Sequence, residues 1–154
     1  MATIREKTLV TIDLEGHCDS HTLTRVRIRH HEITIDEPAT GGGTDLAPTP
    51  LGTLLASLIG CTNVILHKIA ARDGVTVEDM DVTVRAVLDR RGTTLAEEIA
   101  VPFPDIALGI RFASNATPEQ LARLRADLPR FCPVSKILRE AGTRITETWD
   151  VTHR

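Results

Sequence analysis

Residues 50–72 set the strongest constraint on how this chain folds. Pro50 through Arg72 holds no further proline and is dominated by Leu, Ile and Ala. Thr49 suits the cap, Pro50 the first helical turn and Gly74 the C-terminal stop, so the run predicts a single helix. At 1.5 Å per residue such a helix is about 35 Å long, roughly the width of a domain this size. Leu51, Leu54, Leu55, Leu58, Ile59, Thr62, Ile65, Leu66 and Ile69 follow helical spacing. Nearly every side is apolar as far as Leu66, which predicts a helix buried all round. In a chain of 154 residues a partner subunit is the natural cover. The expectation is an obligate homodimer in which the two long helices pack together and N-terminal strands complete the partner's sheet.

The flanks read differently. Thr8–Leu14 and Thr22–His30 are rich in β-branched residues and predict a hairpin bridged by the polar Glu15–His21. Ile33–Asp36 is a further short strand closed by Glu37-Pro38, and the Gly- and Pro-rich 39–50 stretch is a loop. Beyond the helix, Val75–Leu88, Leu95–Val101 and Ile106–Ala113 predict three strands, with Pro102 and Pro104 marking a break. Thr117-Pro118-Glu119-Gln120 opens a helix in capping-box order, ending at Pro129. Pro133–Ala141 predicts a second short helix, stopped by Gly142, and Arg144–Val151 a terminal strand. The order β-β-β, long helix, β-β-β, two helices, β is an α+β plan, in one domain spanning 1–154.

Composition narrows the function. Eighteen Lys and Arg against 21 Asp and Glu leave a net charge of −3, which disfavours a nucleic-acid partner. The most apolar stretch, around Leu51–Ile59, is short for a membrane span. Met1–Val10 lacks the apolar centre of a secretory signal, so the expected location is cytoplasmic. Three scattered cysteines do not make a disulfide scaffold.

Each cysteine is then either inert packing or reactive. Cys132 precedes Pro133 at the start of a helix, where unpaired amides and the helix dipole favour a thiolate. The alternative is a small residue tucked under the helix start. Cys61 sits mid-helix, where buried packing is the ordinary role, yet Gly60 beside it costs about 1 kcal/mol in a helix interior and signals a close approach. Cys18 lies in the polar turn Gly16–His21 near His30 and His31, which leaves a Cys/His metal site open beside simple solvated turn residues. Arg25, Arg27 and Arg29 alternate, so one strand face carries three guanidiniums, either solvated or available to a thiolate. Gly41–Gly43 lacks the context of a nucleotide-binding loop.

Taken together, Asp36-Glu37-Pro38, Gly41–Gly43, Pro48-Thr49-Pro50 before the helix bearing Cys61, and Phe131-Cys132-Pro133-Val134-Ser135-Lys136 resemble the OsmC/Ohr superfamily, the osmotically inducible and organic hydroperoxide resistance proteins. The resemblance covers roughly Arg27 to Val151. It implies antiparallel sheets around a long buried central helix in an intertwined homodimer. It also implies a peroxidatic Cys61, a resolving Cys132 and an arginine, here Arg29, that stabilises the thiolate. The implied substrate is a small-molecule hydroperoxide and the implied partner an external thiol reductant; no metal, flavin or haem is needed. The family places a glutamate just after the proline that opens the helix, where this chain has Leu51 and Gly52, and no carboxylate lies between Asp45 and Asp73. That departure sets up the alternative: a non-enzymatic dimer binding an apolar or electrophilic small molecule.

Overall fold

The computed structural model describes residues 8–154. The chain separates into two compact units, the first ending at Leu54 and the second running Leu55–Arg154. The reading of Met1–Val10 as leaderless falls, for residues 1–7, outside the described residues.

The first unit is a three-stranded antiparallel sheet, β1 (Glu15–Cys18), β2 (Thr24–Ile28) and β3 (His31–Ile35), in that spatial order. The hairpin forms one segment later than its β-branched residues predicted. Ser20 Oγ accepts the amides of Thr22 and Leu23 at 3.2 and 3.0 Å, so the turn sits at residues 19–23 and Glu15 pairs with Arg27. Thr8–Leu14 is therefore not a strand; it runs exposed and pairs with nothing among the described residues. The loop after β3 is built around Asp36. This buried carboxylate accepts the Thr44 hydroxyl at 2.6 Å and the amides of Thr44 and Leu46 at 3.0 and 3.1 Å. A Cβ at Gly43 would lie 1.9 Å from the Glu37 carbonyl oxygen, so no other residue fits there.

Helix α1 (Pro50–Arg72) ends as the sequence predicts. Thr49 Oγ1 caps Gly52 N–H at 3.0 Å, and Gly74 at φ 67° lets Val75 N–H close on Ala70 O at 2.9 Å. Within the single chain the helix buries one stripe, Leu58, Thr62, Leu66, Ile69 and Ala70, while Val64 is 50% exposed. At 23 residues α1 is long and apolar enough to cross a membrane, contrary to the reading from its first apolar stretch, though its buried stripe makes it a core helix of the second unit.

The second unit continues with β4 (Glu78–Val87), α2 (Arg90–Thr93), β5 (Asp105–Ser114), α3 (Pro118–Phe131), α4 (Pro133–Glu140) and β6 (Arg144–His153). Ile106, Leu108, Ile110 and Phe112 alternate along β5 into a core shared with Leu66, Leu124, Leu128, Leu138 and Ile145. The sheet order is β4-β5-β6, and β5 pairs with β6 in parallel. The antiparallel expectation is thus corrected for this pair, and α3 with α4 forms the crossover that a parallel pair needs. Leu95–Val101 is not a strand. Asp89 caps α2 through the Arg91 amide, and Arg91 bridges Asp89 and Glu97, which folds the segment into a charged loop. Helix α3 carries Pro129 inside its last turn and runs on to Phe131, because a proline there removes only one backbone bond.

Candidate functional site

The second unit brings two of the three expected site residues together. Cys61 is half-buried at mid-helix, and a Cβ on its neighbour Gly60 would meet nothing within 4 Å. Cys132 is fully buried and serves two helices at once, closing α3 and opening α4 with φ −75° and ψ 107°. Its amide donates to Leu128 O and its carbonyl accepts from Lys136 N, both at 2.9 Å. No intervening loop exists between the two helices. Both thiols are free, and Cys61 is near enough to act on the Cys132 thiol electrostatically.

The electrostatics of Cys132 correct the sequence expectation. Burial pushes its thiol up to about 11. The Ser135 and Val134 amides of the α4 first turn pull the other way, while Cys61 adds to the rise through its hydrogen bond and its charge. The sulfur makes no cap hydrogen bond to α4. Desolvation therefore outweighs the helix start, and Cys132 keeps its proton.

Arg29 belongs to the first unit. It stands exposed, at φ 55°, in the two-residue turn that joins β2 to β3. The expected face of three guanidiniums is reduced to two, each ion-paired: Arg25 with Asp19 at 2.7 Å and Arg27 with Glu15 at 3.1 Å. Arg29 lies past the strand end and pairs with no carboxylate among the described residues.

Cys18 is exposed at the end of β1, where it accepts a hydrogen bond from Thr24 Oγ1 at 3.8 Å. Among the described residues no cluster of three His, Cys, Asp or Glu side chains is placed to hold a metal.

Two further features had no place in the sequence reading. An apolar hollow of about 260 Å³ is lined by Ile65, Lys68, Ile69, Arg72 and Phe131. Ile65 is one turn and Lys68 two turns from Cys61 on the same helix, and Phe131 directly precedes Cys132. Behind Cys132, Arg139 donates to Ser135 Oγ at 3.3 Å and to Glu147 at 3.0 Å, and Trp149 donates to the other Glu147 oxygen at 3.1 Å. The signals were there: Ser135 and Arg139 are four apart on a helix, and Glu147 and Trp149 share one face of a strand.

A family model described as OsmC-like protein matches residues 41–148. Among solved structures, an OsmC-like protein from Mycoplasma pneumoniae superposes with a TM-score of 0.78 at 16% identity, covering 94% of this chain and 99% of that one. An organic hydroperoxide resistance protein from Elizabethkingia anophelis gives 0.67 at 18% identity, covering 96% and 99%. One from Legionella pneumophila gives 0.66 at 19%, covering 95% and 99%. No curated protein matches the sequence.

Proposed function

The chain belongs to the OsmC-like protein family, and from that premise we propose that it is a thiol-dependent peroxidase that reduces organic hydroperoxides. The observation that carries this reading is the neighbouring thiol pair of Cys61 and Cys132. The Cys61 thiolate attacks the outer peroxide oxygen; the O–O bond breaks, the alkoxide takes a proton and leaves as alcohol, and Cys61 becomes a sulfenic acid. The Cys132 thiol condenses with it, forming the disulfide and releasing water. An external thiol of the cytoplasm then returns both sulfurs to the reduced state. The Cys132 proton held in place by burial is the one the departing hydroxyl requires.

One feature favours a hydrocarbon-bearing substrate. The hollow along α1 presents Ile65, Ile69 and the Phe131 ring, and an apolar wall rewards an organic group more than a bare peroxide. Arg29, which makes no ion pair among the described residues, is the arginine we assign to the thiolate. The protein acts as a homodimer, which covers the apolar residues that the single chain leaves open: Leu9, Val10, Ile12 and Leu14 on the N-terminal segment, and Val64 on α1.

A second reading is kept by one observation: Leu51 and Gly52 stand where the resemblance places a glutamate. A dimer that binds an apolar or electrophilic molecule in the same hollow needs no such carboxylate. Thiol titration after adding cumene hydroperoxide to reduced protein decides between them. The peroxidase loses two of its three free thiols and turns over with a dithiol, whereas Cys61→Ser loses none by this route. Wild-type protein that keeps all three under excess peroxide is a binder.

A further inference from the structure

The contacts behind Cys132 form a chain that the peroxide step does not use. Arg139, in the second turn of α4, reaches back so that its Nε donates to Ser135 Oγ at 3.3 Å, while Nη2 donates to Glu147 Oε1 at 3.0 Å. Trp149 Nε1 donates to Glu147 Oε2 at 3.1 Å. The Arg125 guanidinium stands 5.8 Å above the Trp149 ring, and Phe112 meets that ring edge-on at 6.1 Å. Ser135 is buried and the Glu147 carboxylate is only 13% exposed, so these are shielded, charge-assisted bonds and not solvated surface pairs. They fasten α4 to β6. Cys132 is the N-cap of α4, directly before the first turn that includes Ser135.

We infer that Arg139 and Glu147 are positioning residues for Cys132: they hold the first turn of α4 against its sulfur, and the same clamp carries the state of that sulfur to Trp149. The inference deepens the peroxidase reading and concerns its reductive half. With both thiols free, Cys61 is half-buried and Cys132 fully buried, so once they are joined an external thiolate attacks the Cys61 sulfur. The Cys61–Cys132 bond breaks, a mixed disulfide forms on Cys61, and the electron pair leaves with Cys132 as thiolate. A second external thiolate then displaces Cys61 and departs as the reductant's own disulfide. The leaving charge on Cys132 appears in a desolvated place where the amides of the α4 first turn oppose the cost of burial, and a poorer leaving thiolate slows exchange. A helix end that drifts loses those amides. Arg139 and Glu147, neither of which touches the reacting sulfurs, keep it from drifting.

The test uses the full chain. Wild type, Glu147→Gln and Arg139→Gln are oxidised with diamide, so that the disulfide forms without relying on peroxide chemistry. Their reduction by excess dithiothreitol is then timed, with emission of Trp149, the chain's only tryptophan, recorded in both redox states. The expected result is reduction about tenfold slower in both variants, with the second-order rate of Cys61 with cumene hydroperoxide unchanged within twofold. Wild-type emission differs between the two states, and Glu147→Gln abolishes the difference. If either variant fails to fold, Arg139→Lys, which keeps the charge and loses the Nε bond, replaces it and reduces more slowly than wild type. Folded variants with wild-type reduction rates and a redox-dependent emission overturn the inference while leaving the peroxidase reading intact. Failure of wild type to lose thiols to peroxide overturns that reading alone.

Discussion

Cys61 and Cys132 are neighbouring thiols of unequal burial, with Cys61 half-buried and Cys132 fully enclosed where α3 meets α4. In the proposed cycle the more exposed Cys61 meets the peroxide first. Burial raises the Cys132 thiol to about 11, so it stays protonated.

Cys132→Ser should therefore halt the cycle after its first step. One thiol is lost in the peroxide reaction, and dimedone, which traps sulfenic acids, adds its mass to Cys61. No multiple turnover follows with dithiothreitol. A dimedone adduct on Cys18 in this variant would reverse the assignment.

The raised thiol fixes a pH effect with a definite sign. A folded-state value above the ordinary one, near 9, means the native protein favours protonated Cys132. The associated stability is complete below the ordinary value and is lost as pH climbs from about 9 to about 11. Urea midpoints of wild type should fall across that interval more than those of Cys132→Ala. Parallel curves for the two proteins would show that the burial of this thiol does not contribute.

Asp36 behaves in the opposite sense. The Thr44 hydroxyl, and with it the Leu46 amide, hold its carboxyl well below the usual carboxylate range. Its contribution is present above the ordinary value of 3.8 and lost as pH falls below it. Asp36→Asn should lower the melting temperature at pH 7 and weaken its dependence on pH between 5 and 3. An unchanged acid profile would remove Asp36 from the account.

Gly43 offers a steric check on the same loop. A methyl group 1.9 Å from the Glu37 carbonyl cannot be accommodated without moving backbone, so Gly43→Ala should cost more than about 2 kcal/mol in denaturant unfolding. A cost below about half of that would mean the loop repacks freely.

The exposed N-terminal segment gives the test of assembly. Val10, Ile12 and Leu14 alternate and are all open in the single chain. Light scattering of wild type should give twice the 16.8 kDa chain mass. Val10→Asp with Ile12→Asp should shift it toward one chain mass, because two charges cannot enter an apolar interface. A double variant that keeps the wild-type mass would place the interface elsewhere.

Helix ends were legible because their chemistry is local: Thr49, Gly74 and the Thr117–Gln120 box act within a few residues of themselves. The thiol pair was legible through resemblance, since spacing alone could not bring residues 61 and 132 together. What escaped depended on partners distant in sequence or on turn chemistry that competes with propensity. Leu95–Val101 looks like a strand until Arg91 ties Asp89 to Glu97. Thr8–Leu14 has the better strand residues, yet Ser20 fixes the register one segment later. The parallel pairing of β5 with β6 leaves no mark in either strand's own alternation. At Cys132 the local rule for a helix start was right about the amides and silent about the depth of burial that overrides them.

The parallel pair has a consequence for how the protein forms. β4 and β5 can zip as an antiparallel pair as soon as both have emerged, but β6 reaches β5 only after residues 115–143 have folded back as α3 and α4. Such a long closure is entropically slow compared with a hairpin. Cys132 lies inside that returning segment, so it reaches the neighbourhood of Cys61 only once α3 and α4 have folded back. The two sulfurs, distant in sequence, therefore meet only through that long-range closure and not while the β4–β5 pair forms.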